Sequence, residues 1–352
     1  MSITRPCYAT REQVKAATDV AASAYADTRI DRAVETGSDD VDGLCHRRFW
    51  PEQATRYFDW PGTQYATSWR LWLDGDEAVS VSALVAGGVT IPPSDYFLRR
   101  GDGKDEAPYS HIEVDLSSSS AFSSGSTHQR AVAVTGVFAG CPATTAPAGA
   151  TAEVLDASET AVDVTDSAAA GIGDLVAVDT ERMLLVGKRL LTTGQTLQTA
   201  LTATPSAQSV AVTSGAAYSE GETILLDAER MLILDIAANT LLVRRAYDGS
   251  ALAAHTGSTI YAPRMWTVVR GAAGTTAASH LTAAPISRHV APPLVRDLGL
   301  AYAVRQHQQE MAAYARVAGT GETAAEATGR GVKAIEEDCY RAHGRKARTY
   351  AV

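Results

Sequence analysis

The feature that most constrains this 352-residue chain is a repeat in its middle. Val164-Thr165 recurs as Val212-Thr213, and Gly173-Asp174 recurs as Gly221-Glu222. Asp179-Thr180-Glu181-Arg182-Met183-Leu184 recurs as Asp227-Ala228-Glu229-Arg230-Met231-Leu232, and all three pairs share one offset of 48 residues. A second similarity joins Arg245-Ala246-Tyr247-Asp248-Gly249-Ser250 and His255 to Arg270-Gly271-Ala272-Ala273-Gly274-Thr275 and His280, at an offset of 25. Two offsets exclude a plain tandem array, where one period would serve throughout. Nesting accounts for both. An inner module over residues 209–261 carries both halves of the pattern, and an outer module carries the first half at 161–191 and the second at 266–280. Each copy is expected to be a small β unit whose Gly-rich turn reverses the chain after a last strand.

Helices are expected on either side. Thr10 to Gln13 has the T-x-x-Q form of a capping box, with a helix following to about Tyr25. A second helix begins near Asp27, with Ile30, Ala33, Val34, Val41, Leu44 and Cys45 on one face and a weak point at Gly37-Ser38. It stops before Pro51, because proline disfavours helix for its predecessor. Alternation then predicts strands at Tyr57–Trp60, Trp69–Leu73, Val79–Val85, Asp95–Leu98, Ser110–Leu116 and Arg130–Phe138. Residues 117–127, nearly all Ser, Ala and Gly, predict a loop. After Pro292-Pro293, Leu294, Leu298, Ala301, Tyr302 and Ala315 mark a helix, and Val332, Ile335, Cys339 and Ala342 mark a shorter one. The expected organisation is a helical part at 1–60, a first β domain at 61–140, a linker at 141–150, the repeat domain at 151–285, and a helical part with a basic tail at 291–352.

Chemistry is sparse. The four cysteines (Cys7, Cys45, Cys141, Cys339) form no CxxC pair and lack histidines at zinc-ligand spacing, so reduced thiols are expected and no metal site. The formal charge of -9 opposes a surface that grips nucleic acid throughout. The N-terminus lacks the apolar core of a signal peptide, and no apolar run is long enough to cross a bilayer. The acid pairs Asp179/Glu181 and Asp227/Glu229 suggest acid–base or cation chemistry. Their repetition, each directly before an arginine, assigns them instead to the scaffold of the repeat. Gly319 to Lys333 lacks the spacing of a phosphate loop, and Glu322 and Glu326 would repel phosphate. No GxSxG or HExxH motif occurs. His111, His128, His255 and His280 are too dispersed to propose a site, and the last two are expected to support turns or lie at the surface. The aromatic group Trp50, Tyr57, Phe58, Trp60, Trp69 and Trp72 is expected in a core or subunit contact rather than stacking bases or sugars. No catalytic residue and no cofactor are expected.

Three segments carry a resemblance: Tyr8-Ala9-Thr10-Arg11-Glu12-Gln13-Val14, Ile30-Asp31-Arg32-Ala33, and Val41-Asp42-Gly43-Leu44-Cys45-His46-Arg47-Arg48-Phe49-Trp50-Pro51. Together they resemble head-to-tail adaptor (connector) proteins of long-tailed bacteriophages, in which a helix ends at a glycine and a G/C-x-R-x-F/Y element turns into a β segment. The two Asp-x-Glu-Arg-Met-Leu elements and their Gly-rich turns are similar to β modules of phage structural proteins. The resemblance implies an α+β fold, with a discontinuous helical connector body from both chain ends and the β-rich repeat region inserted. It also implies a structural virion protein assembled in the host cytoplasm and located in the neck. There a homo-dodecameric ring would sit under the portal, meet a tail-proximal stopper protein, and prolong the channel for genomic DNA without reading its sequence or touching a membrane. Twelve copies at -9 each carry -108, so an acidic channel wall would not retain DNA phosphates. A portal or subunit contact is expected in the basic tail, at Arg341, Arg345, Lys346 and Arg348. The alternative from another class is a secreted or surface β-domain protein that binds carbohydrate or a receptor.

Overall fold

A computed structural model describes residues 3–18, 24–62, 67–101, 106–311, 317–318, 325–326 and 330–345. In chain order the elements begin with α1 (Arg11–Thr18), α2 (Ala24–Cys45), β1 (Glu52–Phe58), β2 (Arg70–Trp72), β3 (Ala78–Ala86), β4 (Val89–Ile91), β5 (Tyr96–Arg99), β6 (His111–Val114) and β7 (Val132–Phe138). The middle holds β8 (Thr145–Ala150), β9 (Ala161–Asp163), β10 (Leu175–Val178), β11 (Glu181–Thr196), β12 (Ser209–Ala211), β13 (Thr223–Leu226), β14 (Glu229–Ala237), β15 (Thr240–Arg244), β16 (Thr259–Val269) and β17 (Pro285–His289). The chain closes with α3 (Pro293–Met311), β18 (Val317–Ala318), β19 (Ala325–Glu326) and α4 (Arg330–His343). The elements fall into two compact units. One is Met1–Val41, Thr145–His289 and Pro293–Glu336, and the other is Asp42–Thr144, Val290–Pro292 and Glu337–Val352.

The expected α+β class with a discontinuous helical body does not hold. The chain is mostly β, with 36% strand against 22% helix. The physical reason lies in the helices. α1 is two turns long and buries only Val14. Val14, Ile30, Val34 and Ala303, from α1, α2 and α3, share one core with sheet residues Val162, Leu185 and Trp266. These faces are too small to close a core among themselves, so they cover a sheet instead. Two local expectations also change. α2 runs unbroken through Gly37-Ser38, because a Cβ at Gly37 would come within 2.9 Å of the Ala303 backbone nitrogen, so glycine permits close packing against α3. The segment expected as a linker at 141–150 contains β8, an edge strand paired with β17.

The first unit is built on a ten-stranded sheet ordered β12-β15-β14-β13-β16-β11-β10-β17-β8, with β9 also on β16. Its two halves repeat one design. The hairpin β10–β11 pairs Leu175 with Leu184 and Val178 with Glu181, and the hairpin β13–β14 pairs Thr223 with Leu232 and Leu226 with Glu229. The long strands β11 and β16 run through both halves, from Leu184–Val269 in the outer module to Thr192–Tyr261 at the border of the inner one. The inner module has its own core of Leu197, Val210, Ile224, Met231, Leu241 and Ile260, among others. The N-terminal capping box forms as the spacing predicts: the Gln13 amide donates to Thr10 Oγ1 at 3.2 Å and the Thr10 amide to Gln13 Oε1 at 2.9 Å.

The second unit holds a four-stranded sheet ordered β1-β7-β3-β4 and a three-stranded sheet ordered β2-β6-β5. Alternation along β7 buries Val132, Val134 and Phe138, which pack with Leu84, Ile112 and Leu73. Among the described residues, no helix is long and apolar enough to cross a membrane.

Candidate functional site

The repeated acids are built into two matching polar locks. In each two-residue hairpin turn the first position, Asp179 or Asp227, has φ near +50°, a left-handed conformation that aspartate tolerates better than most residues. The turn lifts that carboxylate into solvent, with side chains 60% and 62% exposed. The glutamate two residues on starts the return strand and points inward, fully buried in both copies.

In the inner lock Arg245 grips Glu229 in a bidentate pair, Nε to Oε1 at 2.7 Å and Nη2 to Oε2 at 2.8 Å. The amides of Ala246 and Ala253 donate to the same two oxygens at 2.8 and 2.9 Å. The remaining Arg245 donors reach the carbonyls of Thr202, Ala207 and Ala253. His255 lies with Nδ1 2.7 Å from Asp227 and Nε2 2.9 Å from Glu229, so the ring bridges the two carboxylates. The outer lock matches contact for contact. Arg270 binds Glu181 at 2.7 and 2.8 Å, the amides of Gly271 and Ala278 donate at 2.9 Å, and the guanidinium reaches the carbonyls of Asp156, Glu159 and Ala278. His280 bridges Asp179 and Glu181 at 2.8 and 2.9 Å. Even the turns agree: Ser250 Oγ accepts the Arg230 amide and Thr275 Oγ1 the Arg182 amide, each at 2.9 Å.

Burial alone would raise the glutamates. The guanidinium, the imidazole and the two amides outweigh it and bring both Glu181 and Glu229 down to about 2. Such a carboxylate is a poor general base, and its oxygens are already occupied. Each lock ties a late segment (Arg245–His255 or Arg270–His280) to an early hairpin and to a loop, through the Leu201–His255 and Leu155–His280 bridges. Its chemistry is that of a clasp.

The copies diverge at the residue before the first hairpin strand. Glu222 is buried and held by Arg264 at 2.8 and 2.7 Å and by Ser167 Oγ at 2.7 Å. Its outer counterpart, Asp174, receives the Gly171 amide at 2.8 Å, with Arg288 only at 3.8 Å. Burial therefore dominates and pushes Asp174 up to about 6.

Sequence reasoning located the acids but not their partners. The adjacent arginines do not serve the glutamates: Arg230 pairs with Asp248 at 3.1 Å, and neighbours along a strand face opposite ways. His255 and His280, expected at turns or the surface, are buried ligands of the locks. The Gly-turn similarity held the signal, since it carries an Arg and a His at matching positions in both copies. His111 is buried against Trp72, with ring centroids 4.3 Å apart, while His128 is exposed. The aromatic residues serve separate contacts. Trp60 Nε1 donates to the Phe122 carbonyl, Arg70 lies by Trp69 and Trp72, and Arg130 covers the exposed Tyr57.

In the basic tail, Arg341 is exposed on α4 and pairs with Asp338 at 3.0 Å. The Arg345 amide donates to the Cys45 carbonyl at 3.0 Å, and its guanidinium stands 3.9 Å from Asp74. Lys346 and Arg348 lie outside the described residues, as does nearly all of the glycine-rich stretch from Gly319 to Gly329. Among the described residues, no group of three or more His, Cys, Asp or Glu is arranged to hold a metal ion.

No known protein family, curated protein or solved structure matches this chain.

Proposed function

We propose that the chain is a non-enzymatic structural protein of a bacteriophage particle, an adaptor in the neck that joins the DNA-filled head to the tail. The observation that carries this reading is the passage from α2 to β1, in the segment whose pattern resembles the connectors. The helix ends at Cys45, His46 takes a left-handed φ of 51°, and β1 starts at Glu52. Phe49 is fully buried between them. The passage is fixed from β7 onward, where the Gly140 amide donates to the Arg48 carbonyl at 2.6 Å and the Cys141 thiol donates to the Phe49 carbonyl at 3.1 Å. A rigid helix-to-strand corner suits a scaffold that must hold one angle in every subunit of a ring. The locks support the same reading, because the carboxylates that would serve catalysis are spent on internal bonds.

In this proposal the partners are further copies of the chain in a ring, expected to number twelve, with the portal on one side and a tail-proximal neck protein on the other. The basic end of the chain, with Lys346 and Arg348 beyond the docked Arg345, meets portal carboxylates through charge-assisted hydrogen bonds. The test is recruitment of purified protein to portal-bearing heads that lack their neck. Stable attachment of the full chain, reduced at least tenfold on removal of residues 346–352, is the expected result. No attachment of the full chain would overturn the neck assignment, and equal attachment of the truncated form would overturn the role of the tail.

A further inference from the structure

Four cysteines are present, and the structure treats them differently. Cys141 is buried with its thiol donating to the Phe49 carbonyl, and Cys7 is half-buried with its thiol on the Arg5 carbonyl at 3.3 Å. Burial pushes both thiols up to about 12. Cys45 and Cys339 alone face one another. Their sulfurs are 3.8 Å apart, both residues are fully buried, and they are 294 positions apart in sequence. Both belong to the second unit.

The surroundings form a prepared joint. Cys45 is the last residue of α2, and its carbonyl accepts the Arg345 amide at 3.0 Å. One turn of α4 beyond Cys339, His343 meets Phe49 edge to face, with centroids 5.8 Å apart. These contacts hold the C-terminal helix and the end of α2 in one place. A disulfide needs sulfurs about 2.0 Å apart, so the pair must close by about 1.8 Å, which lies within the reach of side-chain rotation.

We propose that Cys45 and Cys339 form a modification site, a latent disulfide that staples the C-terminal helix to the end of α2 when the protein meets a small-molecule disulfide oxidant. The chemistry is thiol–disulfide exchange. The thiolate of one cysteine attacks the oxidant, forming a mixed disulfide and releasing one small thiolate. The second cysteine's thiolate then attacks the protein sulfur of that mixed disulfide and releases the other. The two cysteines are oxidised, the oxidant is reduced to two thiols, and the two cysteine protons end on those thiols. The neighbouring sulfur and then burial hold the Cys45 thiol well above its ordinary range, while the hydrogen bond from Cys45 lowers Cys339, so Cys339 is the first nucleophile of the pair. The proposal is independent of the virion assignment, since it rests on this joint alone.

The test uses the full chain, reduced, purified, and then incubated with oxidised glutathione. Peptide mapping without reductant should recover one intramolecular Cys45–Cys339 linkage with a mass loss of about 2 Da, reversed by dithiothreitol. Cys7→Ser and Cys141→Ser should leave it intact, and Cys339→Ser should abolish it. A wild-type measurement guards against misfolded variants. After complete tryptic digestion of native oxidised protein, the Cys339 peptide should stay with the Cys45 peptide, and it should be released from reduced protein. Persistently free thiols, a stable glutathione adduct at either residue, or a different cysteine pairing in the wild type would overturn the proposal.

Discussion

Glu229→Gln is the sharpest perturbation of the inner lock, because it removes a charge while conserving shape. The loss can be sized in two ways. A carboxyl held near 2 instead of its ordinary 4.5 corresponds to about 3 kcal/mol of preference for the charged form in the fold. Breaking one side of a buried ion pair costs about 3–5 kcal/mol, since Arg245, with its side chain 2% exposed, is left without its counter-charge. The glutamine amide also sets a donor against the guanidinium. The two routes agree on a loss of about 3–4 kcal/mol, which in a cooperative unit of roughly 150–250 residues lowers Tm by about 6–15 °C. Calorimetry at pH 7 measures it, and the matching geometry requires Glu181→Gln to give a loss of the same size. The pH dependence follows in sign. With its pKa lowered in the fold, each glutamate contributes stability that is full above about 4.5 and fades as pH falls toward about 2, so the difference between the wild type and either single variant should shrink in acid. A loss below about 1 kcal/mol in both variants would refute the clasp reading.

Asp227→Asn should cost less than about 1 kcal/mol, since that carboxylate is mostly exposed and shares its histidine with Glu229; a loss as large as that of Glu229→Gln would show the hierarchy to be wrong. Asp174→Asn should stabilise the protein by about 1–3 kcal/mol at pH 7.5, because burial raises this carboxyl and its charged form is the costly one. In the wild type that penalty is absent below about 4 and grows as pH rises through about 6, so the gain should vanish in melting curves near pH 4. Excising residues 193–260 and joining Thr192 to Tyr261 through Asn-Gly should leave a remainder that melts cooperatively, because these two are cross-strand partners and the inner core is separate. Melting without a cooperative transition would show that the outer module depends on the inner one, for instance through Arg264 and Glu222.

The two repeat offsets made much of the first unit legible in advance, because a duplicated unit must place equivalent residues equivalently. The partner of each glutamate was not legible, since a strand turns the adjacent arginine away and the true partner, Arg245 or Arg270, comes from a segment whose similarity has another offset. Asp179 and Asp227 sit at the hairpin turn and not within a strand, yet each shares a histidine with the buried glutamate two residues on. A helical face was readable from Ile30, Ala33 and Val34, but a pattern gives only the face to be covered. That a sheet covers it, and not a second helix, depends on long-range packing with residues such as Leu185 and Trp266. The Cys45–Cys339 pair was likewise hidden, since nothing local links positions 294 apart.

The central claim, a structural ring subunit of a phage neck, is tested most directly by electron microscopy of the purified full-length protein, alone and on portal-bearing heads. Closed rings of about twelve subunits, seated at the portal vertex and absent from other vertices, are the result this account predicts. A protein that stays monomeric both free and in the presence of such heads, or that decorates the particle elsewhere, would contradict it.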